Sequence, residues 1–491
     1  MRTVLLLFIL TTNLSIAFAQ KLYSVADFGA KGDDRTINTA FIQKAIDKCA
    51  ADGGGQVYFP AGIYLSGTIN LKSNITLYLS GSAVLKGIAS TGPFSKNAFI
   101  YAERQDHIGI TGPGKIYGQG EAKVFADDPA TGTNNVRNRP MAISLLNCTD
   151  IRLKEFTISN SASWAIKLKE CGLITVDDIK IFSYVVGNND GIDLVDCNNV
   201  RLSNSLFNCG DDAICMKSES KTGVKNVTIT NCIASSGSNA IKMGTGSIGS
   251  FEDITIANCA LSNTRLSGIA IEMVDGGYIN RIAISNITMH NVNGSLFIKL
   301  GKRKGDQPGS LKNIVVSGIV ADGIGEWRPD TTLAYFKKQH DPRIGMSIVG
   351  HPGYLIENVI LSNIYMQFAG GGTAEDAKRN LPIRAEAYPE YNNFGITPAY
   401  GINLKHIRNI QLSNIRLDYI KEDIRPALFM EDIEEADISL LRAKVAKDAI
   451  AMIRTKDIRG LYIHDPKSKS ITSAYIQSEG VAEDITINNN R

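Results

Sequence analysis

The chain repeats itself, and the repeat limits the folds open to it. "IRLKEFTISNS" begins at residue 151, "ITVDDIKIFS" at 174, "VRLSNSLFNC" at 200 and "VTITNCIASS" at 227. "ITIANCALSN" follows at 254, "IAISNITMHN" at 282, "IVVSGIVADG" at 314, "VILSNIYMQF" at 359 and "IQLSNIRLDYI" at 410. The first seven are spaced by 23, 26, 27, 27, 28 and 32 residues. Each alternates apolar and polar residues, the pattern of a half-buried strand. Most carry a turn-forming Ser-Asn, Thr-Asn or Ala-Asn. One such coil cannot bury its apolar face alone, whereas a stack of coils buries a continuous core. The spacing predicts an all-β fold, a single right-handed parallel β-helix. A leucine-rich horseshoe lacks its L-x-x-L-x-L pattern here, and a propeller requires longer, regular blades.

A solenoid needs its ends covered. Residues 36–54, "TINTAFIQKAIDKCAADGG", place Phe41, Ile42, Ala45, Ile46 and Cys49 at helical spacing. Gly53 and Gly54 end the segment, which is expected to be an N-terminal capping helix. Two stretches interrupt the repeat, near 325–345 and 370–400, and are expected beside a cleft, because long insertions in compact domains are usually functional. Residues 1–19 read as a signal peptide of bacterial type: Arg2, the apolar "VLLLFIL", and "AFA" before Gln20. The β-helix domain is then expected to run from 20 to 491, exported to the periplasm or secreted. The net charge of +3 on 491 residues gives no indication of a nucleic-acid partner, and no later run is apolar enough to span a membrane. A monomer is expected. The eight cysteines recur at fixed places in the repeat and are expected as stacked buried thiols, not disulfides or zinc ligands.

The segment 182–218, "FSYVVGNNDGIDLVDCNNVRLSNSLFNCGDDAICMKS", carries Asp190, Asp211 and Asp212. Asp190 and Asp211 are about one coil apart and are expected to stack. The strands "DGIDLV", "DAICMK", "NAIKMG" and "SGIAIE" align from 190, 212, 239 and 267. Ile192, Leu194, Ile214, Met216, Ile241, Met243, Ile269 and Ile271 then face inward, while Asp193, Lys217, Lys242 and Glu272 face outward. A bend at Gly210 would let Asp211 and Asp212 reach one cleft. Crowded carboxyls raise one another's pKa and set an acid beside a base. The same cluster is also compatible with solvated rungs or a calcium site.

These motifs resemble those of glycoside hydrolase family 28, the polygalacturonase family. "NNDGID" (188–193) is similar to its N-T-D-G-x-D motif and "GDDAI" (210–214) to its (G/Q)-D-D motif. The N-terminal "YSVADFGAKGDD" and "GGGQVYFPAGIYLSG" resemble the start of pectin-degrading β-helices. The resemblance implies hydrolysis of galacturonate-containing glycosides with inversion and no cofactor or metal. It assigns Asp211 as general acid, with Asp190 and Asp212 holding and deprotonating the attacking water. An inverting pair is expected to stand about 6.5–9.5 Å apart. The family's G-H-G segment aligns with "SNA" (238–240), so Asn239 replaces the histidine. Its R-I-K segment aligns with "AIE" (270–272), so Ala270 and Glu272 replace cations that bind a substrate carboxylate. The leaving sugar is therefore expected to be neutral, as rhamnose is in rhamnogalacturonan; the insertions at 325–345 and 370–400, closing one end of the cleft, make exo attack the expectation. Lys217 and Lys242 are expected to meet a uronate on the other side, with Asn188, Asp193, Asn239 and Glu272 also at the substrate. The alternatives are a polygalacturonase on homogalacturonan, a lyase of the pectate type, or a non-catalytic glycan-binding module.

Overall fold

The computed structural model describes residues 21–127, 138–328, 340–464 and 474–488. The candidate signal peptide therefore lies outside the described residues. The strands pair in parallel, coil on coil. One core row runs Ile151, Ile174, Val200, Val227, Ile254, Ile282, Ile314, Val359, Ile410, Ala436, Leu461, each residue in register with the next. These are the apolar residues that begin the repeat segments, and all are buried. The fold is a parallel β-helix.

The recurring asparagines explain how each coil turns. Asn204, Asn231, Asn258 and Asn286 sit in the left-handed region, with φ of 54°, 55°, 56° and 55°. Asparagine tolerates that backbone better than most L-residues. Their side chains also form ladders between coils: Asn286 Nδ2 donates to Asn258 Oδ1 at 3.1 Å, and Asn409 Nδ2 to Asn358 Oδ1 at 2.8 Å. All eight cysteines are free and buried, several stacked on neighbouring coils, as in the Cys148 N–H contact to Cys171 Sγ at 3.4 Å.

A helix, α1 (Thr39–Ala51), covers the first coils with Ile42, Ala45, Ile46 and Cys49. It begins later than residue 36 because Thr36 and Ile37 belong to a strand. Phe41, expected on the buried stripe, is 37% exposed. It lies about 100° around the helix from Ile42 and covers Gly29 instead. Among the described residues no helix is long and apolar enough to cross a membrane.

The insertion at 370–400 is fixed by cations from the coils. Lys299 Nζ donates to Arg384 O at 2.7 Å, Lys405 Nζ to Leu381 O at 2.9 Å and Arg454 Nη1 to Ala377 O at 2.7 Å. Arg425 donates to Thr397 O at 3.0 Å while its other nitrogens pair with Asp423, and both residues are buried. Four buried or nearly buried cations thus satisfy carbonyls that an irregular segment would otherwise leave unpaired. Of the insertion near 325–345, residues 329–339 lie outside the described residues.

Candidate active site

Four strands build the site: β1 (Ile192–Val195), β2 (Ile214–Ser218), β3 (Ile241–Ser247) and β4 (Ser250–Met273). Ile192, Ile214, Ile241 and Ile269 share one register row. This row puts Asp190 level with Asp212 and corrects the expected stack on Asp211. Asp211 instead lies beside Asn189, whose carbonyl accepts its N–H at 3.2 Å. Gly191 is required between the two: a Cβ there would meet Ala213 O at 2.3 Å. Asn189 holds the preceding turn by accepting the N–H groups of Val185 and Val186 at 3.0 Å and donating to Ser161 O at 2.8 Å.

The chain bends at Gly210 and Asp211, and one oxygen from each of Asp190, Asp211 and Asp212 comes within 4.8 Å of the others. That is closer than the expected inverting separation. Asp190 is pushed well above the ordinary carboxyl range by burial and by Asp193 and Asp211, against the pull of Lys217. Asp211 is raised by burial and by Asp212. Asp212 differs. Burial opposes its charge, but Lys242, Lys217 and hydrogen bonds from Asn239 and Ser238 outweigh it and lower its pKa. The three neighbouring carboxyls are therefore unlike: Asp190 and Asp211 are shifted toward holding a proton and Asp212 toward releasing one.

The residues expected at the substrate fall into different places. Asn239 is buried, and its Nδ2 donates to Asp212 Oδ1 at 2.9 Å. Asn188 is exposed at φ 57° and accepts from Arg139 Nη2 at 3.1 Å. Lys217 contacts Asp193 directly, lies 3.6 Å from Asp190, and sits over the Trp164 ring at 4.5 Å. Asp193 is fully buried, and burial lifts it to about 6 against the lysine's pull. Lys242, expected to be open to a uronate, is 1% exposed. Its Nζ lies 3.4 Å from Asp212, 3.6 Å from Glu272 and 3.5 Å from Glu390. Glu272 is also buried, accepting from Thr245 Oγ1 at 3.0 Å, and burial pushes it up to about 8. Ala270 packs with Phe297, Tyr391 and Phe394. The outward faces of these strands point away from the core, as expected, but the 370–400 insertion packs on Lys242 and Ala270.

That insertion brings residues the repeat could not reveal. Glu390 reaches Lys242 and has its Oε2 buried without a hydrogen-bond partner in the protein. The Tyr388 ring lies 5.3 Å from Lys242 Nζ. Arg265, just before the "SGIAIE" strand, donates to Gly237 O, and its Nη1 lies 3.3 Å from His340 Nε2. Its charge also acts on Asp211. Arg303 donates to Asp275 Oδ1 at 2.9 Å.

The fold and cluster together define a parallel β-helix protein with an acidic site on one face. The chain belongs to glycosyl hydrolases family 28, whose description matches residues 49–338 and so spans all three aspartates. A probable polygalacturonase of Vitis vinifera is 31% identical over 219 residues, covering 40% of this chain and 44% of the relative. An exo-poly-alpha-D-galacturonosidase of Dickeya chrysanthemi is 25% identical over 261 residues, covering 42% and 43%. The chain thus spans less than half the length of these curated relatives. A solved exopolygalacturonase of Thermotoga maritima superposes with a TM-score of 0.65 at 18% identity, covering 81% of this chain and 92% of that one, a likeness of fold.

Proposed function

We propose that the protein hydrolyses glycosides of galacturonate, with Asp211 as general acid and Asp212 as the base that activates water. The observation carrying this reading is the convergence of three buried or half-buried carboxyls within 4.8 Å, with Asp211 shifted toward holding its proton and Asp212 toward releasing it. A catalytic acid must hold its proton near working pH, and its partner must have lost one. Asp190, level with Asp212, shares the water. A water making two hydrogen bonds of about 2.7 Å can bridge carboxylate oxygens separated by roughly 4–5 Å. That supports gripping of water by Asp190 and Asp212, and so inversion. The short separation by itself suits a covalent, retaining route, which needs about 5–5.5 Å between carboxyls. The anomer first seen by NMR during digestion separates the two.

On the leaving side, Ala270 and Glu272 supply no cation, and Glu390 adds a second acid there. This supports a neutral leaving sugar and a galacturonate–rhamnose linkage. The covering insertion supports attack from a chain end. A second reading, exo action on homogalacturonan, is favoured by Arg265, whose charge acts on Asp211, and by the names of the relatives. Comparing kcat/KM on matched rhamnogalacturonan and homogalacturonan oligosaccharides with chelator present decides. Saturated products with the chelator present are expected. Unsaturated products, or activity abolished by the chelator, would make the cluster a cation site of a lyase. Preference for homogalacturonan would overturn the rhamnogalacturonan assignment.

A further inference from the structure

Lys242 stands out among the buried groups because it touches a proposed reacting carboxyl yet has almost no exposure. It occupies the centre of an acidic cage. Asp212 of the β2 bend lies at 3.4 Å, Glu272 of β4 at 3.6 Å and Glu390 of the insertion at 3.5 Å. The Tyr388 ring closes the remaining side. A substrate carboxylate would have to displace one of three protein carboxyls to reach it. We propose that Lys242 is a positioning residue that keeps Asp212 ionised, and that the 370–400 insertion, through Glu390 and Tyr388, holds the ammonium in place. The proposal rests on the assignment of Asp212 as base.

The alternatives for Asp212 are unfavourable without this cation. Asp190 and Asp211 flank it, and Cys215 Sγ is 3.9 Å away. Lys217, the second ammonium, is already engaged by Asp193 and Asp190 and lies 3.0 Å from Cys215. Arg265 acts on Asp211 and Glu390. Asn239 and Ser238 orient Asp212 but carry no charge. A carboxylate buried among other carboxyls takes up a proton unless a nearby cation opposes it. Lys242 is the cation placed against Asp212, with Glu272 and Glu390 as its other two neighbours.

The test is the pH profile of kcat/KM for wild type, Lys242→Met and Lys242→Arg. An opposite charge at this range moves a carboxyl by about 1 pH unit or more. The acidic limb of Lys242→Met should shift upward by about that amount, and Lys242→Arg should return it. Should Lys242→Met not fold, Lys242→Gln keeps a polar head among the carboxyls and carries the same expectation. An unshifted limb with uniformly lower kcat would overturn the proposal and leave Lys242 a packing residue. Carboxyl 13C NMR, with Asp212 assigned through Asp212→Asn, gives a readout independent of turnover. If wild type cleaves no galacturonide, the functional reading fails, and this titration still decides the role of Lys242. An Asp212 resonance titrating at or above the ordinary aspartate range in wild type, or unmoved in Lys242→Met, would refute it.

Discussion

Replacing Glu272 by glutamine should reverse part of the pH dependence of stability. Glu272 is fully buried, one oxygen lacks a hydrogen-bond partner in the protein, and its pKa is pushed from the ordinary 4.5 to about 8. An acid whose folded pKa is raised binds a proton in the native state while the unfolded chain has released it. Its stabilising contribution is complete below pH 4.5 and is lost as pH rises toward 8. Between those limits the slope is about 1 kcal/mol per pH unit, so the loss from pH 5 to pH 8 amounts to about 3 kcal/mol. Glutamine is neutral at every pH and lacks this term. Urea midpoints of wild type and Glu272→Gln, measured from pH 5 to pH 8, should therefore diverge, the variant gaining on wild type as pH rises. Groups remote from residue 272 cancel in the difference. Parallel curves would show that Glu272 is ionised throughout, held by Lys242, and would refute burial as the dominant influence on it.

Asp211→Asn should lower kcat on natural substrates by at least about 100-fold, with a smaller loss on an activated leaving group that needs little protonation. Equal losses on the two substrates, measured side by side, would reject Asp211 as the acid. Arg425→Ala should cost about 3–5 kcal/mol in urea denaturation, because Asp423 is left buried and unpaired. It should also open the 370–400 insertion to limited proteolysis, and Asp423→Ala added to it should recover part of the loss. Asn286→Ala should cost about 1–2 kcal/mol by forcing alanine into the left-handed region. Asn286→Gly, which adopts that backbone freely, should cost less in the same assay.

The coils were legible because one physical constraint acts on every one of them. An apolar residue must return to the same row each turn, so Ile151, Ile174 and Val200 mark the period directly. The strand alignment at the site held for the same reason. Ile192, Ile214, Ile241 and Ile269 are core residues, and slipping by one would turn them outward. The spacing of the aspartates alone points to Asp211 as the partner of Asp190, whereas the isoleucine row fixes Asp212. Burial of Lys242 and Glu272 had no local signal. What covers them is a segment more than 100 residues downstream, and the repeat pattern says nothing of where an irregular insertion lies. Its anchors are cations such as Lys299 and Arg454, which in the sequence look like ordinary solvated positions.

The charges at the site lead to one further step. Six carboxyls, from Asp190, Asp193, Asp211, Asp212, Glu272 and Glu390, crowd against two ammonium groups, Lys217 and Lys242, with Arg265 at the edge. Not all six can ionise at such separations, so the cluster must retain protons at neutral pH, and the lysines determine which carboxyls give theirs up. Lys217 touches Asp193 and only approaches Asp190. Lys242 lies 3.4 Å from Asp212, and although both lysines also pull on Asp211, burial and Asp212 outweigh them there. The carboxyl at the bend, raised by burial and by its neighbour, is the one suited to donate a proton. The carboxyl one residue later, backed by a buried ammonium, is suited to accept one. On the proposed assignment, acid and base are adjacent in the chain, and what distinguishes them is the ammonium of a third residue on the next coil.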